Sequence, residues 1–299
     1  MTMPASPLVE CIPNFSEGRD PAVIEAIGEA IRSAPGARLL DVHRDPDHHR
    51  SVFTLAAPPD AIVGAALAAV RCAVGRIDLR THRGEHPRVG AADVVPFAPL
   101  AGSTRDDCVR LARDCGRRIA EELGLPVYLY GAAATRPGRR NLADLRRPRF
   151  EGLPALIASD PAWAPDFGPK AVHPSAGACL VGARDVLVAY NVWLDTADVA
   201  VAKTIARIVR DRDGGMPGVK ALGLSVAGRT QVSMNLCDPG RTSMQEAFEA
   251  VAREASARGV RVSHSELVGM VPERFFDSSW IPGLKLKGFR WPQVIERSL

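Results

Sequence analysis

Twice along the chain the same succession recurs: strand, helix, two strands, helix, strand. This order constrains the fold more than any single motif. In the first half a strand over residues 9–15 leads to Asp20-Pro21, an N-cap and first-turn proline. The helix that follows carries Val23, Ile24, Ile27 and Ile31 at helical spacing and stops at Pro35-Gly36. Strands over 37–42 and 51–56 come next. A second helix buries Val63, Leu67, Val70 and Val74 before Gly75, and a strand with Val94, Val95 and Phe97 is interrupted by Pro96, an edge or bulge residue. In the second half, a strand over 186–193 precedes a helix capped by Thr196 and carrying Val199, Ala202, Ile205 and Val209. A strand over 219–226, a turn at Gly228-Arg229 and the alternating residues Val232, Met234 and Leu236 follow. A capping box of Thr242 and Gln245 then opens a helix, and a strand over 260–268 closes the repeat. Each half reads as a split βαβ unit. The expected class is α/β (α+β), with two ferredoxin-like βαββαβ subdomains over 1–180 and 181–299, each a sheet with helices packed on one face.

Between the halves lie an added helix from about 104 to 123 and a strand over 127–130. Residues 137–174 then hold seven of the 24 prolines, which argues against a regular core element and for a connection laid over a surface. The arginines there (Arg139, Arg140, Arg146, Arg147, Arg149) read either as a solvated basic helix or as phosphate and carboxylate binders.

Residues 81–93 pack two histidines, a glutamate, two arginines and an aspartate around glycines and a proline. Charged side chains are rarely buried unpaired, and histidine is the side chain whose ordinary pKa lies nearest neutrality, so this loop is the candidate reaction centre. His82-Arg83-Gly84-Glu85-His86 also fits the H-x-x-E-H order of inverted zinc proteases. That chemistry needs both histidines on one helix face. Gly84 weakens a helix, and Pro87 biases His86 away from the α region, so no metal is expected. An imidazole doing acid and base work beside Glu85 fits a rigid loop better.

With 299 residues, 46% of them hydrophobic, the chain has ample material for a core. The balance of 38 Lys and Arg against 34 Asp and Glu mildly favours anionic small molecules and does not demand nucleic acid. Six cysteines without C-x-x-C pairs point to reduced thiols. There is no basic segment followed by an apolar stretch at the start and no membrane-length apolar run, so a cytoplasmic protein without a membrane partner is expected.

Five blocks carry a resemblance. They are Val9-Glu10-Cys11-Ile12-Pro13-Asn14-Phe15-Ser16-Glu17-Gly18, the loop Gly84-Glu85-His86-Pro87-Arg88-Val89-Gly90-Ala91-Ala92-Asp93-Val94, Pro126-Val127-Tyr128-Leu129-Tyr130-Gly131, Asp166-Phe167-Gly168-Pro169, and Glu266-Leu267-Val268-Gly269-Met270-Val271-Pro272. In order and over nearly the whole chain, they resemble glutamate formiminotransferase. The resemblance implies transfer of a formimino group from N-formimino-L-glutamate to N5 of tetrahydrofolate, a step of histidine breakdown. It also implies a homodimer, tetrahydrofolate as co-substrate, and two α/β subdomains forming a ligand tunnel. The family's catalytic histidine falls on His86. Its folate-contacting segment falls on Gly168-Pro169-Lys170-Ala171-Val172-His173-Pro174-Ser175-Ala176-Gly177, which the residues alone read as linker.

In these roles Glu85 supports a cationic imidazole or formimino carbon, and Arg88 and Arg50 anchor the carboxylates of donor and folate. Structural ion pairing is the other reading of both arginines. Asp93 and His43 complete the expected substrate site. Two positions depart from the family pattern: His43 stands where an aspartate is common, and Ala132 where a glutamate is. A relative acting on another one-carbon donor such as 5-formyltetrahydrofolate, or a non-catalytic folate binder, is the alternative.

Overall fold

The computed structural model describes residues 7–84, 86–226 and 228–299. It divides into two compact units after Arg184.

In the first unit β1 (Val9–Cys11) and β2 (Asn14–Phe15) are one strand broken at Ile12-Pro13, both parts pairing antiparallel with β4 (Arg50–Ala57) and β5 (Ala92–Pro99). Proline has no N–H for the ladder; instead the Pro13 carbonyl accepts from the Phe53 N–H. In α1 (Pro21–Arg32) the Asp20 carboxylate caps the Ala22 and Val23 N–H groups, while Ile24, Ile27 and Ile31 face the core. The hairpin β3 (Arg38–Asp45) and β4 (Arg50–Ala57), then α2 (Pro59–Arg76) and β5 (Ala92–Pro99), complete a βαββαβ unit. Next come α3 (Arg105–Leu123), opened by a capping box of Thr104 and Asp107, and β6 (Val127–Gly131). The chain continues through α4 (Leu142–Arg146) and α5 (Arg149–Ser159) to β7 (Cys179–Ala183).

Across the sheet the order is β3, β4, the β1/β2 strand, β5, β7, β6, with β7 parallel to both its neighbours. β7 is absent from the sequence expectation. Its five residues, preceded by Ala176-Gly177-Ala178 and ending in Gly182-Ala183, carry no alternating pattern to mark them. The boundary expected at 180 falls inside this strand, and the division lies after Arg184 because β7 belongs to the first sheet.

The proline-rich stretch differs from its expectation as well. Pro154 sits inside α5, and Leu145 and Leu153 are buried against Val94, Tyr128, Tyr130 and Leu180. These strand residues point away from Val95, Val127, Leu129 and Val181, which face the main core with α1 to α3. The first sheet is therefore covered on its second face too, over β5, β7 and β6. Burial of Leu145 and Leu153 stabilises that cover by about 1.5–3 kcal/mol each.

The second unit is β8 (Val188–Leu194), α6 (Val199–Val209), β9 (Val219–Val226), β10 (Arg229–Leu236), α7 (Met244–Ser256) and β11 (Val262–Val268), with strand order β11, β8, β10, β9, antiparallel throughout. Asp198 caps α6 in place of Thr196, and Ser243 with Glu246 forms the capping box expected one residue earlier. Among the described residues no helix is long and apolar enough to cross a membrane.

Candidate active site

Asp93 is the centre on which the site is built. It lies at the start of β5, 0% exposed; Oδ1 accepts from the Val89 N–H at 2.8 Å, Oδ2 accepts from Arg50 Nη2 at 2.6 Å, and the same Oδ2 forms an ion pair with Arg146 Nη2 at 2.7 Å. Burial alone would raise this carboxyl, but Arg146, Arg50 and the Val89 N–H outweigh it and hold the pKa well below the usual range. The anion is thus fixed, and it fixes in turn an arginine from the start of β4 and one from the end of α4.

Arg50 also donates through Nε to Asn14 Oδ1 at 3.3 Å, and its Nη1 lies 3.0 Å from Nδ1 of His86. The same Nδ1 is 2.7 Å from the Pro87 carbonyl. These contacts have opposite requirements. A carbonyl only accepts, so it needs Nδ1–H; a guanidinium only donates, so it needs an Nδ1 lone pair. The shorter contact favours Nδ1–H, which leaves the lone pair on Nε2, a nitrogen with no hydrogen-bond partner among the described residues. Burial, then Arg50 and Arg146, push the His86 pKa down to about 4. At neutral pH this half-buried imidazole is uncharged.

A second polar cluster is built on His82 in the same loop. His82 is buried; its Nδ1 accepts from Arg88 Nε at 2.9 Å and its Nε2–H donates to the His49 carbonyl at 3.0 Å, so both ring nitrogens are engaged and one tautomer is fixed. His49, at φ 52°, stacks on it with ring centroids 4.2 Å apart.

Arg88, expected as a carboxylate anchor, is 6% exposed and directed inward. Its Nη1 and Nη2 donate to Glu151 at 3.1 and 2.8 Å, and Nη2 also reaches the His82 carbonyl at 3.3 Å. Sequence spacing carries no sign of the Glu151 partner 63 residues away. We expect Arg88→Ala to lower stability by on the order of 2 kcal/mol, since Glu151 is 60% exposed and regains water. The donor's Michaelis constant should stay within about twofold of wild type; a large rise would return Arg88 to the binding surface.

The described residues of the loop form no helix. With His82 engaged at both nitrogens, the geometry an H-x-x-E-H zinc site requires is not built there. Glu85 lies outside the described residues. His43 is exposed on the edge strand β3, opposite Val52, and its side chain makes no hydrogen bond among the described residues; Ala132 is exposed just beyond β6.

The segment from Gly168 to Gly177 is tied by its backbone to the loop that carries His86. The Leu79 N–H donates to the Ser175 carbonyl, the Ala91 N–H to Ala176, and the Ala178 N–H to Val89. Gly90 and Gly177 form a bridge so close that a Cβ on Gly90 would sit 1.8 Å from the Ala178 carbonyl oxygen, and one on Gly177 2.1 Å from that of Val89. Gly177 also has φ +75°, a conformation other residues rarely adopt. Within the segment, Nδ1 of His173 accepts the Ala176 N–H at 3.0 Å and closes the turn.

The chain matches the Formiminotransferase domain, N-terminal subdomain, over residues 8–184, and the Formiminotransferase domain over residues 189–279. It belongs to the formiminotransferase family. It is 46% identical to a glutamate formimidoyltransferase of Thermoplasma acidophilum, over 98% of this chain and 97% of that one. A glutamate formimidoyltransferase of Streptococcus pyogenes serotype M1 is 45% identical over 89% of this chain and 90% of its own length. The formimidoyltransferase-cyclodeaminase of Sus scrofa is 46% identical over 89% of this chain, which spans 50% of that longer protein.

Proposed function

We propose that the protein transfers the formimino group of N-formimino-L-glutamate to N5 of tetrahydrofolate, giving 5-formiminotetrahydrofolate and L-glutamate, with His86 moving the proton. The observation that carries His86 into this role is its neutral ring, with Nδ1 against the Pro87 carbonyl and the Nε2 lone pair free. N5 attacks the formimino carbon to give a tetrahedral adduct. The Nε2 lone pair takes the proton from the now cationic N5, and the resulting imidazolium delivers it to the glutamate nitrogen as the carbon–nitrogen bond breaks. A pKa of about 4 makes the ring a weaker base, and its imidazolium a better proton donor, than an ordinary histidine. It is matched to a proton that is acidic once N5 has attacked, and to a leaving amine that must be protonated.

On this reading the segment from Gly168 to Gly177 contacts the folate, held in register with His86 by the Gly90–Gly177 bridge. No metal takes part, and the enzyme is a cytoplasmic homodimer. Sedimentation of the purified protein tests the dimer.

Steady-state assay with both substrates, following 5-formiminotetrahydrofolate, tests the reaction. The acid limb of kcat/KM gives a sharper check. A base whose pKa is depressed loses activity only when pH falls through the lowered value, so the limb is expected near pH 4, with little loss between about pH 7 and 5.5. A limb near 6.5 would mean that the base is another group, or that His86 is more open to water than this geometry allows.

A further inference from the structure

We propose that Arg146 receives the α-carboxylate of the formimino donor through its Nε–H. Arg146 ends α4 with its side chain 14% exposed; Nη2 forms an ion pair with Asp93, yet Nε is buried without a hydrogen-bond partner among the described residues. Buried donors are ordinarily satisfied, so this one awaits an acceptor. Charge gives the acceptor's sign. Arg50 and Arg146 together carry two positive charges against the single charge of Asp93, whose Oδ1 is taken by Val89 and whose Oδ2 already serves both arginines. Neither arginine has a second carboxylate partner among the described residues. One uncompensated positive charge and one unpaired N–H therefore lie buried beside His86, which fits a carboxylate.

The proposal rests on the reaction given above, and the chemistry of that reaction selects which carboxylate. In N-formimino-L-glutamate the leaving nitrogen is bonded to the carbon that bears the α-carboxylate. A nitrogen placed to take a proton from His86 brings that carboxylate to the same end of the site. The carboxylates of folate stand beyond its p-aminobenzoyl group, far from N5.

The test compares N-formimino-L-glutamate with N-formimino-4-aminobutyrate, which lacks only the α-carboxylate. Wild-type protein should prefer the former by about 10- to 100-fold in kcat/KM. Arg146→Gln should erase most of that preference: both donors lose some kcat/KM through the altered surroundings of His86 and Asp93, but the loss should be about 10- to 100-fold larger for the glutamate compound than for the aminobutyrate compound, with the Michaelis constant for tetrahydrofolate changed by no more than about threefold. An equal loss on both donors would make Arg146 structural, and a loss confined to tetrahydrofolate would assign it to the folate tail; either overturns the proposal. Should Arg146→Gln not fold, Arg146→Lys, which keeps a charge for Asp93 but lacks Nε–H, carries the same expectation. Calorimetric titration with L-glutamate and 4-aminobutyrate separates the anchor from the reaction. Absence of turnover with an Arg146-dependent preference for glutamate would sink the reaction and keep the anchor. Loss of that preference in wild type sinks the anchor whatever the turnover.

Discussion

Replacing His86 with alanine is expected to lower kcat by about 100-fold or more while leaving the fold in place. The side chain is half-buried and fixes no other element: its two polar contacts, to the Pro87 carbonyl and Arg50, both involve groups with other surroundings to return to, and its ring otherwise meets only the edge of His48 among the described residues. Both proton transfers pass through this ring in the proposed sequence, so its loss removes the relay for attack and for departure together. Turnover and the urea midpoint, measured side by side, check this. An unchanged kcat would take His86 out of the mechanism; a collapsed midpoint with the same kcat deficit would make the side chain a structural part of the loop. His86→Gln, which restores a polar group without a titrating one, should be no more active than alanine.

The second large effect is expected at Asp93, and there it falls on stability. Asp93→Ala strips the shared carboxylate from Arg50 and Arg146, leaving buried guanidinium charge unpaired, and is expected to cost about 3–5 kcal/mol. The Val89 N–H loses its acceptor as well, which loosens the loop next to His86. Urea denaturation reads this directly; a loss under about 1 kcal/mol would mean that the arginines find other partners or water. Activity should fall along with stability, because the two arginines are the charges that set the His86 environment.

The same groups give the acid response a sign. Asp93 is held below its ordinary pKa, so its contribution is present at neutral pH and disappears as acid protonates it. His86, His82 and His49 are all depressed, chiefly by burial, so each is neutral when folded where the unfolded chain already binds a proton. For His86 stability is full above about pH 6.5 and declines as pH falls toward 4. Acid therefore weakens the site before it weakens the apolar cores.

Much of this architecture is legible in the sequence because it is periodic. Ile24, Ile27 and Ile31, or Val232, Met234 and Leu236, announce their element and its buried face within a few residues. The pieces that escape such a reading depend on partners distant in sequence. β7 is a strand because β5 and β6 flank it, and its own residues alternate nothing. In the sequence Arg146 reads as part of a solvated basic helix or as an anion binder, and Arg88 as a carboxylate anchor or a structural ion pair. One closes on Asp93, 53 positions earlier, and the other on Glu151, and no local pattern encodes either pairing. The histidine loop is legible as a polar cluster in a place that cannot be core. Which of its imidazoles has a free nitrogen is not, since that follows from hydrogen bonds made to His49, Pro87 and Arg88 in three dimensions.

The late arrival of β7 has a consequence for how the protein is made. The first sheet is contiguous only when residues 179–183 slot between β5 and β6, strands whose last residues were synthesised about 80 and 50 positions earlier. A nascent chain that has emerged only as far as α5 presents two unpaired, strongly apolar strand edges, the hazard that edge protection normally removes. Ribosomal pausing in that interval should favour chaperone capture, and a fragment ending after Arg184 should fold where one ending between β6 and β7 should not.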